Sequence, residues 1–220
     1  MFWNLLLAHI TGDFLLQTDW MVKNRGRFWV LTLHSSTHFV LMLLLVGKTR
    51  NEIWYLIALI ALIHMAQDAM KYFLVRKKPK WSRPAFVIDQ TLHCLILWIV
   101  SSRLQMGLGL NNLVQTPTWV IVAIGYLIVT YVWFFSERTF NQSNLEYINQ
   151  LTRTKYSRMV TRAGLISIFL LVRNWTLPGL AMVLPNTATS SKYRQRALLI
   201  DLAVSIVVMV FLSWALGLPH

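Results

Sequence analysis

A set of long apolar runs constrains this chain more than any other feature. Residues 1–17, 28–47, 53–75, 86–101, 119–135 and 197–216 form six such runs. They approach or exceed the roughly 20 residues a helix needs to cross about 30 Å of hydrocarbon. A seventh stretch, 163–184, is interrupted by Arg173, Asn174, Pro178 and Gly179. It reads as a helix to about Val172 followed by a short return segment. The runs are continuous rather than alternating, which argues against transmembrane strands. The fold class expected is all-α: a polytopic helical membrane protein with about six or seven membrane segments. A hydrophobic share of 56% agrees, being above that of an ordinary soluble domain. Met1-Phe2-Trp3-Asn4 lacks a basic start and no small-residue cleavage site follows, so the first helix is expected to stay. The lone Cys94 lies in an apolar run, where it can form no intramolecular disulfide and reads as packing.

The net charge of +13 suggests a nucleic-acid partner until its distribution is considered. Threading the runs back and forth puts 17 of the 21 Lys and Arg on one side. They fall in blocks at 23–27, 71–83, 138–162 and 192–196, leaving Lys48, Arg50, Arg103 and Arg173 opposite. The crowded side is expected to be cytoplasmic. Topology and attraction to anionic head groups account for the excess, with no specific nucleic acid required. Trp20, Trp29, Trp81 and Trp133 fall near the basic side, and Trp54, Trp119, Trp175 and Trp214 near the other, as two interfacial belts.

Against this apolar background, each of the first four runs carries a pair of His or Asp residues spaced i, i+4. The pairs are His9 and Asp13, His34 and His38, His64 and Asp68, and Asp89 and His93. That spacing puts both side chains of a pair on one helical face, one turn apart. Asp13, His34, Asp68 and Asp89 fall roughly 6 to 11 Å below the cytoplasmic helix ends, at about 1.5 Å per residue. His9, His38, His64 and His93 fall roughly 12 to 17 Å below by the same measure. The order reverses between descending and ascending helices, so the two layers stay aligned. A single intramembrane His is ordinarily a helix–helix hydrogen bond. Eight such residues at two matched depths point instead to a site, because each uncompensated Asp costs about 2.5 to 3.5 kcal/mol on insertion.

Imidazole nitrogens and carboxylate oxygens suit a divalent metal, most naturally zinc, with manganese or iron as alternatives. Eight ligands are enough for more than one ion. Residues 1–101 are thus expected to form a four-helix bundle carrying the His/Asp metal site. Residues 102–220 would add C-terminal membrane helices, with a cytoplasmic connection at 136–162. Lys71 reads as a snorkelling partner of Asp68, and Gln17, Gln67 and Gln90 as helix–helix contacts. Gly12 reads as a point of close helix approach. Asp201 reads either as a further polar group at the site or as a partner of Lys192 or Arg194.

The stretches LAHITGDFLLQTDWMVKNR, LHSSTHF, LIHMAQDAMKYF and DQTLHCL, within residues 5–95, resemble a bacterial inner-membrane family, domain of unknown function 3307. That family is distantly similar to YdjM-like predicted membrane metal-hydrolases, and more remotely to zinc-dependent phospholipase C and single-strand nucleases. By that resemblance, His9, Asp13, His34, His38, His64, Asp68, Asp89 and His93 would be the metal ligands. The implied function is an intramembrane metal-dependent hydrolase of a lipid or lipid-linked phosphoester, acting from the cytoplasmic leaflet. In it Asp13, Asp68 or Asp89 would be ligand or general base. Its partners would be membrane lipid and anionic head groups, with oligomerisation left open. The alternatives are a metal-ion or proton transporter, and a non-catalytic membrane sensor or interaction protein with a structural metal site.

Overall fold

The computed structural model describes residues 1–47, 50–107, 116–172 and 191–218. All regular structure among them is helical, and the chain divides into two compact units, Met1–Val120 and Ile121–His220.

In the first unit, α1 (Phe2–Ile10) runs without a break into a π-helical turn, Thr11–Leu16. Gln17 is extended and stops it. Thr18 then caps a short helix, α2 (Asp19–Lys23), by accepting from the Met21 amide at 3.3 Å. Next come α3 (Phe28–Val46), α4 (Arg50–Lys77) and α5 (Ser82–Gly107). Pro79 cannot continue a helix, and α4 accordingly stops at Lys77 and hands over through a 3₁₀ turn, Pro79–Trp81. α1 packs on α3 and α5, α3 on α4, and α4 on α5, so the four helices close a ring. Ser35 pins α3 to α4 by donating to the Ala61 carbonyl at 2.5 Å.

Two faces explain the composition of these helices. Phe28, Leu44, Trp54, Leu62, Met70 and Trp98 are exposed on the outside, as lipid-facing side chains would be. Inside, Leu5, Ala8, Met42, Ile53, Ile57 and Leu97 belong to one apolar core that fills the end remote from the basic loops. Phe28–Val46, Asn51–Lys77 and Pro79–Leu104 are long and apolar enough to cross a membrane, and Phe2–Leu16 is a shorter apolar helix.

In the second unit, α6 (Thr118–Leu127) continues through a π-helical turn, Ile128–Val132, into α7 (Trp133–Phe140). α8 (Leu145–Arg153), α9 (Lys155–Val172) and α10 (Ser191–Leu216) follow. Thr118–Phe140 and Lys192–Leu216 bring the long apolar helices among the described residues to five. Residues 136–162, the expected connection, are helical for most of their length. They form the end of α7, the whole of α8, capped by Asn144, and the start of α9. α9 ends at Val172, and the return segment expected after it lies outside the described residues.

A buried ion cluster holds this unit together. Arg158 on α9 reaches both oxygens of Asp201 on α10, at 2.6 to 3.1 Å, and Oε1 of Glu137 on α7 at 3.0 Å. Arg162, one turn on, lies 3.5 Å from Asp201, and the Tyr147 hydroxyl of α8 donates to Glu137. Two expectations change here. Asp201 pairs with Arg158 and Arg162 rather than with Lys192 or Arg194; Lys192 pairs with Glu146 and Arg196 with Asn141. Arg158 and Arg162, counted above with the basic loops, are 2% and 1% exposed and offer nothing to a lipid head group.

Candidate metal centre

The four elements of the closed ring each deliver one of the sequence pairs to its interior. All eight residues are buried: His9 on α1, Asp13 on the π turn, His34 and His38 on α3, His64 and Asp68 on α4, Asp89 and His93 on α5. Their ligand atoms converge in three overlapping groups. One is His9, Asp13, His38 and His64; the second is His34, His64 and Asp68; the third is Asp68, Asp89 and His93.

Asp13 Oδ1 is the hub. The Nε2 atoms of His38, His34 and His64 lie 3.0, 3.1 and 3.5 Å from it, one from α4 and two from α3. His34 Nε2 also lies 3.3 Å from Asp68 Oδ2, 3.3 Å from His64 Nε2 and 3.2 Å from the amide nitrogen of Gln17. Gln17 is held in that orientation because its Oε1 accepts from Arg25 at 2.5 Å. The close approach of α1 to α3 requires Gly12: a Cβ there would come within 2.5 Å of the His38 ring. This is the role read from the sequence, with the contacting side chain now known.

Hydrogen bonding alone does not satisfy so dense a set. A ring nitrogen carries either one proton or one lone pair. Yet His34 Nε2 faces an amide donor that needs its lone pair and two carboxylates that need its proton. His38 Nε2 lies 3.0 Å from Asp13 Oδ1 but out of line for a hydrogen bond, and both His38 nitrogens lack a hydrogen-bond partner. So do His9 Nε2, His93 Nε2 and Asp89 Oδ1, all of them buried.

His93 states the case most clearly. Its Nδ1 lies 2.9 Å from the backbone carbonyl of Asp89. A carbonyl only accepts, so Nδ1 carries the proton, and neutral His93 presents a bare, buried lone pair at Nε2. This is how metal-binding histidines are commonly oriented. Spacing agrees as well. Ligand atoms 2.0 to 2.1 Å from a tetrahedral ion lie about 3.3 Å from one another, and the contacts around Asp13 Oδ1 run from 3.0 to 3.5 Å. These buried His and Asp groups can hold a metal ion.

Two neighbours shape the carboxylates. Gln90 donates to Asp13 Oδ2 at 3.1 Å and to Asp89 Oδ2 at 3.2 Å. Lys71 reaches Asp68 Oδ1 at 3.0 Å, as its spacing suggested, and also Asp89 Oδ2 at 2.5 Å. Gln17 and Gln90, read from the sequence only as helix–helix contacts, both touch the cluster, and Arg25 enters it through Gln17. Their one advance sign was position: Gln90 directly follows Asp89, and Gln17 lies one turn beyond Asp13.

Sequence comparison places this constellation in a family. The family model described as "Protein of unknown function (DUF3307)" matches residues 1–122. The chain belongs to this family. The match takes in every residue of the His/Asp cluster and extends beyond the 5–95 stretch that carried the resemblance. Neither the curated proteins nor the solved structures gave a match.

Proposed function

We propose that this DUF3307 member is a metal-dependent hydrolase of the bacterial inner membrane. Its substrate would be a lipid or lipid-linked phosphoester taken from the cytoplasmic leaflet. The observation that carries the reading is the convergence of five imidazoles and three carboxylates that have too few protons among them to satisfy one another.

Zinc is the ion these ligands suit best, and the three overlapping groups give room for more than one. When bound, such ions supply Lewis acidity toward water and phosphoryl oxygens. The chain's own residues supply the rest. Asp13 is engaged through both oxygens, by histidines at Oδ1 and by Gln90 at Oδ2, and would serve as a fixed ligand. Asp68 is held by Lys71 and His34. Asp89 is held through Oδ2 only, and its unpartnered Oδ1 suits it to take a proton from water. Three carboxylates and the Lys71 ammonium carry a net charge of two negative, which one divalent ion cancels. A second would make the site cationic and favour an anionic, phosphate-bearing ligand. The basic loops would be cytoplasmic and gather anionic head groups.

The apolar core beyond the inner histidines favours this reading over a transporter, because among the described residues it leaves no chain of ionisable groups toward the far end of the unit. The test begins with metal content per chain for the detergent-purified wild type and for a His34→Ala/His64→Ala variant. We expect bound metal in the first and none in a folded second, followed by metal-dependent cleavage on a panel of lipid phosphoesters. Bound metal with no cleavage, but with metal or proton flux in proteoliposomes, would transfer the site to the transporter reading.

A further inference from the structure

The third ligand group differs from the other two in already containing a cation. Asp68, Asp89 and His93 bring their ligand atoms together, and the ammonium of Lys71 lies between the two carboxylates, 3.0 Å from Asp68 and 2.5 Å from Asp89. Lys71 comes from the same helix as Asp68, three residues on, and its side chain is only 14% exposed. His93, meanwhile, has the Nε2 lone pair that no hydrogen-bond donor meets, and Asp89 Oδ1 is likewise unpartnered. The group thus has the donors of a metal site, with an ammonium where the ion's charge would be.

We infer that Lys71 acts as a tethered cation that closes a further metal position formed by Asp68, Asp89 and His93, and so sets how many ions the centre takes up. The inference rests on the metal-centre reading proposed above. Local charge supports it. Two carboxylates and a neutral imidazole balance a divalent ion, whereas one ammonium leaves a negative charge uncompensated. An ammonium also offers only donors and cannot use the His93 lone pair. Two properties of Lys71 favour it over an ion from solution: it is covalently held at the position, so no binding entropy is lost, and it repels an incoming cation.

The test is metal stoichiometry, read by mass spectrometry at one buffered free zinc concentration on wild type, Lys71→Met and Lys71→Arg. Lys71→Met should carry one more ion per chain than the wild type, and Lys71→Arg the same number as the wild type. Without a cation, Asp68 and Asp89 would face each other unscreened, so apo Lys71→Met should be poorly folded and recover when zinc is added. Lys71→Arg should need no such rescue. Equal metal content in wild type and folded Lys71→Met would overturn the inference and leave the metal centre standing. Failure of Lys71→Met to fold at any zinc concentration would overturn it too. Absence of metal from the wild type would overturn both readings, whereas absence of hydrolysis would touch only the proposed activity.

Discussion

Two buried polar clusters among the described residues solve the same problem in opposite ways. In the second unit, Arg158 and Arg162 face Glu137 and Asp201, so two positive groups meet two negative ones within the chain. In the first, five neutral-capable imidazoles and three carboxylates surround one another with a single lysine among them. The guanidinium fork of Arg158 is spent on its two carboxylates, and that cluster reads as a clamp joining α7, α9 and α10. The His/Asp cluster keeps lone pairs with no donor to meet them. A buried network whose charges balance within the chain serves packing; one left with excess negative charge and bare lone pairs asks for something from outside.

The contrast can be broken most forcefully at Asp201. Asp201→Ala removes the partner of two buried guanidinium groups, a loss of about 3 to 5 kcal/mol. We expect the folded yield in detergent to collapse, with no rescue by zinc. A mild effect would mean that the cluster is not a clamp. The matching experiment on the first unit is chelation. Stripping metal from the wild type should lower its unfolding temperature, by the equivalent of about 2.7 kcal/mol if the ion had been present at a hundred times its dissociation constant. His38→Ala should be indifferent to the chelator, and equal responses would dissolve the distinction between the two clusters.

Gly12→Ala addresses the same centre sterically. Its Cβ would sit 2.5 Å from the His38 ring, so the ring must move, and metal affinity should fall about 10- to 100-fold, as for other disturbed ligand positions. Unchanged affinity by competitive titration would show that His38 is no ligand. A smaller effect is expected at Tyr147, whose phenol is pushed up to about 12 by burial and by the Glu137 carboxylate beside it. The unfolded chain loses that proton near pH 10. The contribution is therefore complete below about pH 10 and disappears as pH rises toward 12. Tyr147→Phe should cost about 1 kcal/mol at neutral pH, and the gap to wild type should close over that alkaline window. A gap that stays constant would remove the hydroxyl from the network. Smallest of all, Lys192→Ala breaks an exposed pair with Glu146 and should leave the melting curve unchanged.

Much of the candidate site was legible in the sequence because its signal is local. An i, i+4 pair within an apolar run shows on a single helix, and depth follows from counting residues. What could not be read depends on which helix meets which. Arg158 and Asp201 lie 43 residues apart, and helical periodicity names a face but not the residue opposite. Arg158 and Arg162 were charged, close to a chain segment rich in bases, and indistinguishable there from solvated loop residues. Gln90 looked like any buried amide until the π turn after α1 brought Asp13 within 3.1 Å of it. The π turn at Thr11–Leu16 left no mark in the sequence either, since no residue type there demands it.

That turn ties the economy of the fold to its use. A π turn carries more chain per revolution than the α-helical ladder needs, and regular α-helix is the more favourable geometry. Deleting Thr11 offers the chain a smoother helix, but it would swing Asp13 by about 100° around the axis, away from the histidines that meet at its Oδ1. Selection for a sturdier first helix and selection for a metal centre as proposed would therefore pull in opposite directions over the same six residues.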